Sequence, residues 1–551
     1  MHALKKICSS LIFGCFLCNV LIGSPAADLF PFEPPKKFSL FIQQGLIDHP
    51  VSTSQPDAQA YFNQGLTLIY GFNHDAAYWS FKKASEIDPQ LAMAYWGMAL
   101  ALGQNINLEV TGVREKKAYD LIQKAIQLSK NATDNEQAYI KALSQRYTND
   151  PQPDLKQLAR NYFTAMEELK KRFQDDLDAA VLFAESGLNL NPWKQWTSQG
   201  EPIEGTLEIV AVLENVLKRD PNHLGANHYY IHAIEASEYP ERALMSAERL
   251  RKLLPASGHI LHMPGHIYLL TGNYHLAAIC NEEAVTADRA YIDRFGMRGI
   301  YPLHYLSHNL YFLSRAYSLE GRFEDAKRTG DELYDFYAPH FKMMPELEFY
   351  VPTSLFIMLR FQRWKDVLAL SPPPADMQIT NVLWHFARAM SYAALKQIPD
   401  AEKEQSLFTD GKNHLPNEAA YGGNQAKTIM EIADLSLKSK IAEMKEGPAR
   451  AIHALQKAAL LQDKLHYNEP PDWLFPIKES LGGIFLRLGN FEEAEKNFRE
   501  DLGKHPRNGR SLFGLWQSLR GQGRHSDASW VEREWEKAWQ NSTTDLTIND
   551  L

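Results

Sequence analysis

The chain has 551 residues and a formal net charge of −9, and it is 45% hydrophobic and 23% charged. This balance is typical of a folded protein and excludes an intrinsically disordered chain, while the length exceeds what one compact core usually holds. Because the charge is mildly acidic and forms no basic stripe, the composition also argues against nucleic acid as the main partner.

The N-terminus has the parts of a secretory signal peptide, which we assign to residues 1–26. Lys5 and Lys6 form a short positive region, residues 7–23 are mostly apolar, and small residues before position 27 provide a cleavage site. The alternatives are a retained anchor helix and a lipoprotein motif that ends at Cys15. The sequence therefore predicts an exported protein, periplasmic or secreted, with no transmembrane span after signal removal.

Residues 27–57 are rich in proline and are predicted to form an extended lead-in. The helical pattern that follows has small and aromatic residues at the spacings of a tetratricopeptide unit. Small residues let two antiparallel helices approach, the aromatic residue fills the wedge between units, and proline ends the second helix. The residues in question are Gly65, Ala77, Phe81, Ala84 and Pro89.

The alanine that anchors the second helix recurs at the period of such a unit. Ala243 and Ala277, like Ala494 and Ala528, are separated by one period of about 34 residues. No stretch alternates at period two, so no strands are expected. The sequence therefore predicts an all-α, tetratricopeptide-type superhelical solenoid. Its parts are N-terminal units with a long loop (58–205), central histidine-rich units (206–370), C-terminal units (371–539) and a frayed polar tail (540–551).

Six histidines occupy corresponding positions in three successive central units. The first helices of such units line the concave groove of a solenoid, and their groove-facing residues lie at fixed offsets before the anchor alanine. Histidines four positions apart share a helix face, and helices of adjacent units pack about 8–10 Å apart, so imidazoles on them reach a common point. The six are His228, His232, His259, His262, His266 and His308.

This histidine pattern predicts a transition-metal site, with zinc, copper or iron as the candidate ion. Imidazole ligands suit these metals and poorly suit calcium or magnesium. Glu235, three residues after His232, is a candidate metal ligand, outer partner or catalytic general base. His304 is a further candidate member. Pro264 lies inside the richest helix, where a kink would turn His266 away.

The central histidines lie within two longer strings, Asn227-His-Tyr-Tyr-Ile-His-Ala233 and His259-Ile-Leu-His-Met-Pro-Gly-His-Ile-Tyr268, and Tyr70-Gly-Phe-Asn-His74 forms a third. Together these strings resemble a bacterial family of exported or cytosolic tetratricopeptide-repeat proteins, over about residues 49–330. The resemblance implies an all-helical repeat fold and no settled biochemical activity. That family often has a further histidine where this chain has Tyr311, so the resemblance puts the completeness of a metal site in doubt.

Two functions follow from these observations. The first is an exported scaffold that binds a protein or peptide in its concave groove, with a histidine-rich metal site there. The alternative is a metal-dependent enzyme, a hydrolase or an oxidoreductase, with its active site inside the superhelix. The same histidines also fit a polar groove that recognises a peptide end without metal. The units after about residue 380 have no chemical cluster and are expected to form a docking surface whose removal spares metal binding.

Overall fold

A computed structural model describes residues 38–108, 112–297, 301–342 and 344–551. This described part forms 24 α-helices and one pair of two-residue strands, which confirms the predicted all-α solenoid. The predicted signal peptide and the start of the lead-in lie outside the described residues. No described helix is both long enough and apolar enough to span a membrane.

The helices follow one another along the chain, most of them through short connections. Before the central histidines they are α1 (Pro56–Tyr70), α2 (His74–Ile87), α3 (Ala92–Leu102), α4 (Val113–Leu128), α5 (Asp134–Ser144), α6 (Leu155–Arg172), α7 (Leu177–Leu188) and α8 (Thr206–Arg219). The central helices are α9 (Leu224–Ile234), α10 (Leu244–Leu253), α11 (Gly258–Leu270), α12 (Tyr274–Phe295), α13 (Ser307–Leu319), α14 (Phe323–Tyr337), α15 (Thr353–Arg360) and α16 (Trp364–Ala369). The C-terminal helices are α17 (Gln378–Ala394), α18 (Ile398–His414), α19 (Ala426–Lys445), α20 (Pro448–Gln462), α21 (Ile477–Arg487), α22 (Phe491–Lys504), α23 (Gly509–Gly521) and α24 (His525–Ala538).

A short β-hairpin contradicts the expectation that the chain has no strands. The strands β1 (Ala420–Tyr421) and β2 (Asn424–Gln425) pair antiparallel, with Ala420 opposite Gln425. Gly422 in the turn has a φ of 58°, a left-handed conformation that glycine adopts without steric cost. Strands of two residues are too short to produce an alternating pattern, which is why the sequence did not reveal them.

The aromatic wedge predicted for the first unit is formed by Phe81. Its side chain is fully buried, and a Cβ atom added at Gly65 or Gly97 would lie 2.6 or 2.4 Å from its ring. Only glycine lets the helices approach so closely at these positions. The same sequence spacing between one phenylalanine and two glycines recurs near the C-terminus, where the ring of Phe498 lies against Gly482 and Gly514. Two units far apart in the sequence therefore share one packing rule, as expected for repeats.

Replacing this wedge is expected to destabilise the N-terminal units strongly. Phe81→Ala leaves a cavity between three helices, and such a substitution typically costs about 3–5 kcal/mol in the free energy of unfolding. Urea unfolding of the variant and of Leu460→Ala measures the difference, since Leu460 is 63% exposed and its truncation should change little. Equal unfolding midpoints for the two variants would contradict the assigned packing.

The solenoid curls so that its C-terminal units contact its centre. One hydrophobic core is continuous over residues 42–484. The hydroxyl of Tyr274 donates a hydrogen bond to the carbonyl of Pro506 at 2.8 Å. The buried guanidinium of Arg315 donates to the carbonyl of Leu474 at 2.9 Å. The chain therefore encloses an interior between its central and its C-terminal helices.

The C-terminal tail, residues 540–551, was predicted to be frayed, but in the structure it packs against the rest of the chain. The hydroxyl of Ser542 donates to the carbonyl of Gly321 at 3.1 Å, and the side chain of Gln362 donates to the carbonyl of Asn549 at 3.1 Å. Because these partners are remote in sequence, the polar composition of the tail did not reveal them.

Candidate metal centre

The six predicted histidines come together in the enclosed interior, whereas the repeat pattern predicted that they line a concave groove. The side chains on α9 and α11 are 4% exposed or less, and the one on α13 is half-buried. The histidines form two groups of three, which we call the first trio (His228, His232 and His259) and the second trio (His262, His266 and His308).

The ring nitrogens of the first trio converge. The Nε2 atoms of His232 and His259 each lie 3.1 Å from Nε2 of His228. Phe72, in the hinge between α1 and α2, packs against the rings of His228, His232 and His259 at centroid distances of 4.5, 5.7 and 5.4 Å. His228 Nδ1 donates to the carbonyl of Tyr70 at 2.6 Å. The N-terminal unit therefore both covers and orients this trio.

The second trio has the same parts. The Nε2 atoms of His262 and His266 are 2.8 Å apart, and a nitrogen of His308 lies within 4.8 Å of both rings' nitrogens. Phe312 packs against the rings of His262, His266 and His308 at 4.4, 4.6 and 5.0 Å. His262 Nδ1 donates to Asn281 Oδ1 at 2.8 Å. Each trio thus combines three imidazoles, one phenylalanine and an oxygen acceptor behind the ring.

Glu235 joins the two trios. Its Oε1 accepts from His232 Nδ1 at 2.8 Å, and its Oε2 lies 2.6 Å from His266 Nδ1, although that contact is less well aligned as a hydrogen bond. Burial alone raises the pKa of Glu235, but the adjacent His266 and His232 hold it well below its usual range, so the group is an anion. Both oxygens face Nδ1 atoms, on the side of the rings opposite the converging Nε2 atoms. Of its three predicted roles, Glu235 therefore has that of an outer partner, which orients the ligands without binding the metal.

Pro264 does not turn His266 away. The helix α11 runs continuously through Pro264, and its residues from Gly258 to Leu269 are all buried. Packing on every side fixes the course of this helix, so the hydrogen bond that proline cannot donate does not displace the next turn.

Two other residues near α13 stay outside the trios. Among the described residues, the grouped nitrogens do not include His304. Its ring packs against Tyr305 at 5.0 Å, and burial lowers its pKa to about 4. Tyr311 packs against Phe349 and Tyr350. Since each trio has three imidazoles without these residues, the tyrosine at position 311 leaves neither trio short of a third ring.

The outer partners determine which nitrogen carries the hydrogen in the rings that they contact. The carbonyl of Tyr70 and the carboxylate of Glu235 can only accept. The amide of Asn281 is oriented by its own Nδ2, which donates to the carbonyl of Ala277 at 2.8 Å, so its oxygen faces the ring. A neutral imidazole that donates through Nδ1 has a lone pair on Nε2. Such lone pairs point toward each other in the pairs His228/His232 and His262/His266.

In most of the six imidazoles, burial favours the neutral form that binds metals. Burial, with a further contribution from neighbouring histidines, lowers the pKa well below its ordinary value in His228, His259, His262 and His308. Facing lone pairs repel each other unless a cation lies between them. A tetrahedral ion with nitrogen ligands at 2.0–2.1 Å holds those nitrogens about 3.3 Å apart. The three closest pairs of nitrogens would need to separate by only a few tenths of an ångström, and the remaining pairs lie within 4.8 Å, so the residues of the trios fit a bound ion.

A second cluster with metal-ligand residue types lies near the N-terminus and was not found from the sequence. It consists of His49, Asp176 and Asp178. Its carboxylates are already occupied, because Asp178 accepts from the hydroxyl of Tyr70 and lies close to His49 Nδ1, both at 2.6 Å, and Asp176 accepts from the hydroxyl of Tyr139 at 2.9 Å. Burial lowers the pKa of His49, but Asp178 raises it overall. This cluster is an ion pair with hydrogen-bonded neighbours.

The C-terminal units contact Glu235 behind the histidines, contrary to the expectation that they form a separate docking surface. The hydroxyl of Tyr467 donates to Glu235 Oε2 at 3.0 Å and lies 3.4 Å from Glu469 Oε2. Tyr467 and Glu469 also line a cavity of about 260 Å³. On another side, Trp193 of the predicted long loop packs edge-on against His232 at 5.4 Å. The centre is therefore built from all three parts of the chain.

Sequence reasoning found the six histidines and Glu235 but missed the residues around them. Tyr70 and Phe72 lie in a string that supported the family resemblance, so a signal for them existed. Asn281 lies one helical turn after Ala277, and Phe312 lies one turn after His308. The repeat pattern had singled out Ala277 and His308 but not the residues one turn later. Tyr467 had no local signal, because its contact with Glu235 depends on how the solenoid closes.

Comparison with known proteins identifies one repeat and no close relative. The tetratricopeptide repeat family matches residues 58–91. No curated protein matches the sequence. Similar solved structures include the human IFIT1 dimer with m7Gppp-AAAA, at 11% identity over 89% of this chain and 91% of that chain, with a TM-score of 0.33. The APC/C hetero-tetramer Cut9-Hcn1 is similar at 13% identity over 88% and 74%, with a TM-score of 0.30. The P58(IPK) TPR domain is similar at 13% identity over 85% and 99%, with a TM-score of 0.22. The chain thus contains a tetratricopeptide repeat at its N-terminal unit, within an all-α repeat fold.

Proposed function

We propose that this protein is a metalloprotein, in which a tetratricopeptide-type helical scaffold holds transition-metal ions in the first and second trios. The observation that carries the proposal is the convergence of Nε2 atoms at 2.8–3.1 Å, while Nδ1 of His228, His232 and His262 each donates a hydrogen bond to an oxygen behind the ring. Oxygen partners behind metal-ligating histidines orient the rings in the same way. A hydrogen bond between two neutral rings does not account for the facing lone pairs of His228 and His232, because each ring already donates through Nδ1.

The donor set favours a late first-row metal ion. The trios offer imidazole nitrogens only, since Glu235 lies in the outer position. Imidazole suits zinc, copper, iron and nickel, and the affinity of a given site generally rises toward copper. We therefore propose copper or zinc ahead of iron. Three protein ligands per ion leave one coordination position open, which is typical of catalytic zinc sites and not of structural ones.

This arrangement supports the metal-dependent enzyme over recognition of a peptide by the histidines. Imidazoles that are 4% exposed or less present almost no surface to a peptide. Binding of a protein partner elsewhere on the solenoid is a separate proposal that rests on the extended surface of repeat folds. Export to the periplasm or the medium rests on the predicted signal at residues 1–26, and membership of the bacterial family rests on the strings quoted above.

Metal loading tests the proposal directly. The purified mature chain is stripped with a chelator, loaded with Cu²⁺ or Zn²⁺, desalted, and assayed for metal by mass spectrometry. We expect two retained ions per chain, and one in the double variant His262→Ala/His266→Ala, because only the second trio loses its ligands. The matched control His453→Ala/His525→Ala removes two exposed histidines and should retain both ions. Absence of retained metal in the folded wild-type chain would refute the proposal.

A further inference from the structure

The two trios adjoin each other without an intervening layer of side chains. The rings of His232 and His266 have centroids 5.8 Å apart, and those of His259 and His262 are 6.0 Å apart. These distances between the trios are no longer than the longest distances within them, which are 6.2 Å for His232 and His259 and 6.0 Å for His266 and His308. The six imidazoles therefore form one continuous cluster.

The surroundings of the cluster favour ions that share a ligand. Phe72 packs against the rings of the first trio and Phe312 against those of the second. Phenylalanine supplies no ligand atom, so the open coordination position of each ion lies away from these rings. Glu235 contacts one histidine of each trio from behind, which ties the two sets of ligands to a single side chain.

The charge balance requires an anion from solution. Two divalent ions bring four positive charges into a buried site, where imidazole binds a metal in its neutral form and Glu235 supplies one negative charge. Even with Glu469 ionised beyond Tyr467, two positive charges remain, and buried charges are stable only when they are paired.

From these observations we infer that the two trios form one dinuclear metal centre in which a small anion, such as hydroxide, bridges the two ions. The inference rests on the proposed function and specifies the ligand class of that same site. Ions in such paired centres lie about 3.5–4 Å apart, and the pair can activate or clamp a small oxygen ligand between them. The structure thereby assigns the open coordination positions to a shared ligand.

Electron paramagnetic resonance of the Cu²⁺-loaded protein tests the inference. Two Cu²⁺ ions joined by one bridging anion couple antiferromagnetically, so we expect loss of most of the signal relative to the copper measured by mass spectrometry. The variant His262→Ala/His266→Ala should hold one copper and recover the full signal per ion. If that variant fails to fold, His308→Ala replaces it, because this half-buried histidine is the most exposed of the six.

Titration with azide gives a second readout on the wild-type chain. Azide binding is followed by its charge-transfer absorption. If the two ions share one position, the signal should saturate at one azide per two coppers. Two retained coppers with a full signal, or two azides per copper pair, would overturn the dinuclear centre while the metalloprotein proposal stands. One retained copper in the wild-type chain would also overturn it, and absence of retained copper would refute the proposed function itself.

Discussion

Replacing Glu235 by glutamine is expected to weaken metal binding at both trios by about 10–100-fold. The carboxylate orients His232 through one oxygen and His266 through the other. Glutamine keeps the size of the side chain but loses the negative charge, and its amide group cannot accept from both rings. One substitution outside the ligand set should therefore affect two ions.

Competition with a chromophoric chelator measures this effect site by site. Asn281→Ala is the comparison that affects one trio. Among the six histidines Asn281 is hydrogen-bonded to His262, so this variant should weaken metal binding at the second trio alone. Glu185→Gln is the matched control, since Glu185 is also a buried glutamate but is hydrogen-bonded to Asn189. Unchanged affinity in Glu235→Gln would contradict the assigned outer position.

A large effect on stability is also expected at Glu479, in the C-terminal units. Its Oε1 accepts from Arg510 Nε at 2.6 Å, and its Oε2 accepts from Asn508 at 2.9 Å and lies 3.5 Å from Arg360 Nη1. All of these side chains are buried. Removing this carboxylate leaves two buried guanidinium groups without their anionic partner. The loss of one partner of a buried ion pair typically lowers the free energy of unfolding by about 3–5 kcal/mol.

The same contribution is expected to depend on pH. Burial raises the pKa of Glu479, but Arg360 and Arg510 lower it to about 2, below the ordinary value of 4.5. When the pKa of a carboxylate is lower in the folded state than in the unfolded state, its full stabilising effect is present at any pH above the unfolded-state pKa. The effect is lost as the pH falls from there toward the folded-state pKa. The difference in pKa corresponds to about 3 kcal/mol.

Urea unfolding of Glu479→Gln over a pH series checks both statements. We expect the free energy of unfolding to be about 3 kcal/mol lower than in the wild type near pH 7, with a gap that narrows as the pH falls below about 4.5. Glu446→Gln removes an exposed carboxylate and should show no measurable change. A gap that stays constant with pH would exclude the ion cluster as its cause.

The repeat architecture was predictable because it depends on local patterns. The spacing of Ala243 and Ala277 and the wedge at Phe81 follow from helix periodicity and from contacts between neighbouring units. The same offsets selected all six histidines. What the offsets did not reveal is that α11 divides its histidines, with His259 in the first trio and His262 and His266 in the second. That division depends on how far adjacent helices are shifted along their axes.

Features that depend on closure of the solenoid could not be predicted. The contact of Tyr467 with Glu235 and the packing of the tail against Gly321 join residues that are more than two hundred positions apart. Neither contact has a period or a local motif. The repeat pattern predicted a concave groove, and it did not reveal that the C-terminal units close the interior in which the histidines lie.

Crystallographic anomalous scattering from the metal-loaded protein tests the central claim most directly. Data collected on both sides of the copper or zinc absorption edge locate the ions without reference to the protein ligands. We expect two peaks, one at the convergence of His228, His232 and His259 and one at that of His262, His266 and His308, each about 2.0–2.1 Å from its nitrogen ligands. Peaks only at other positions, such as His49 and Asp178, or no peak in either trio, would contradict the account.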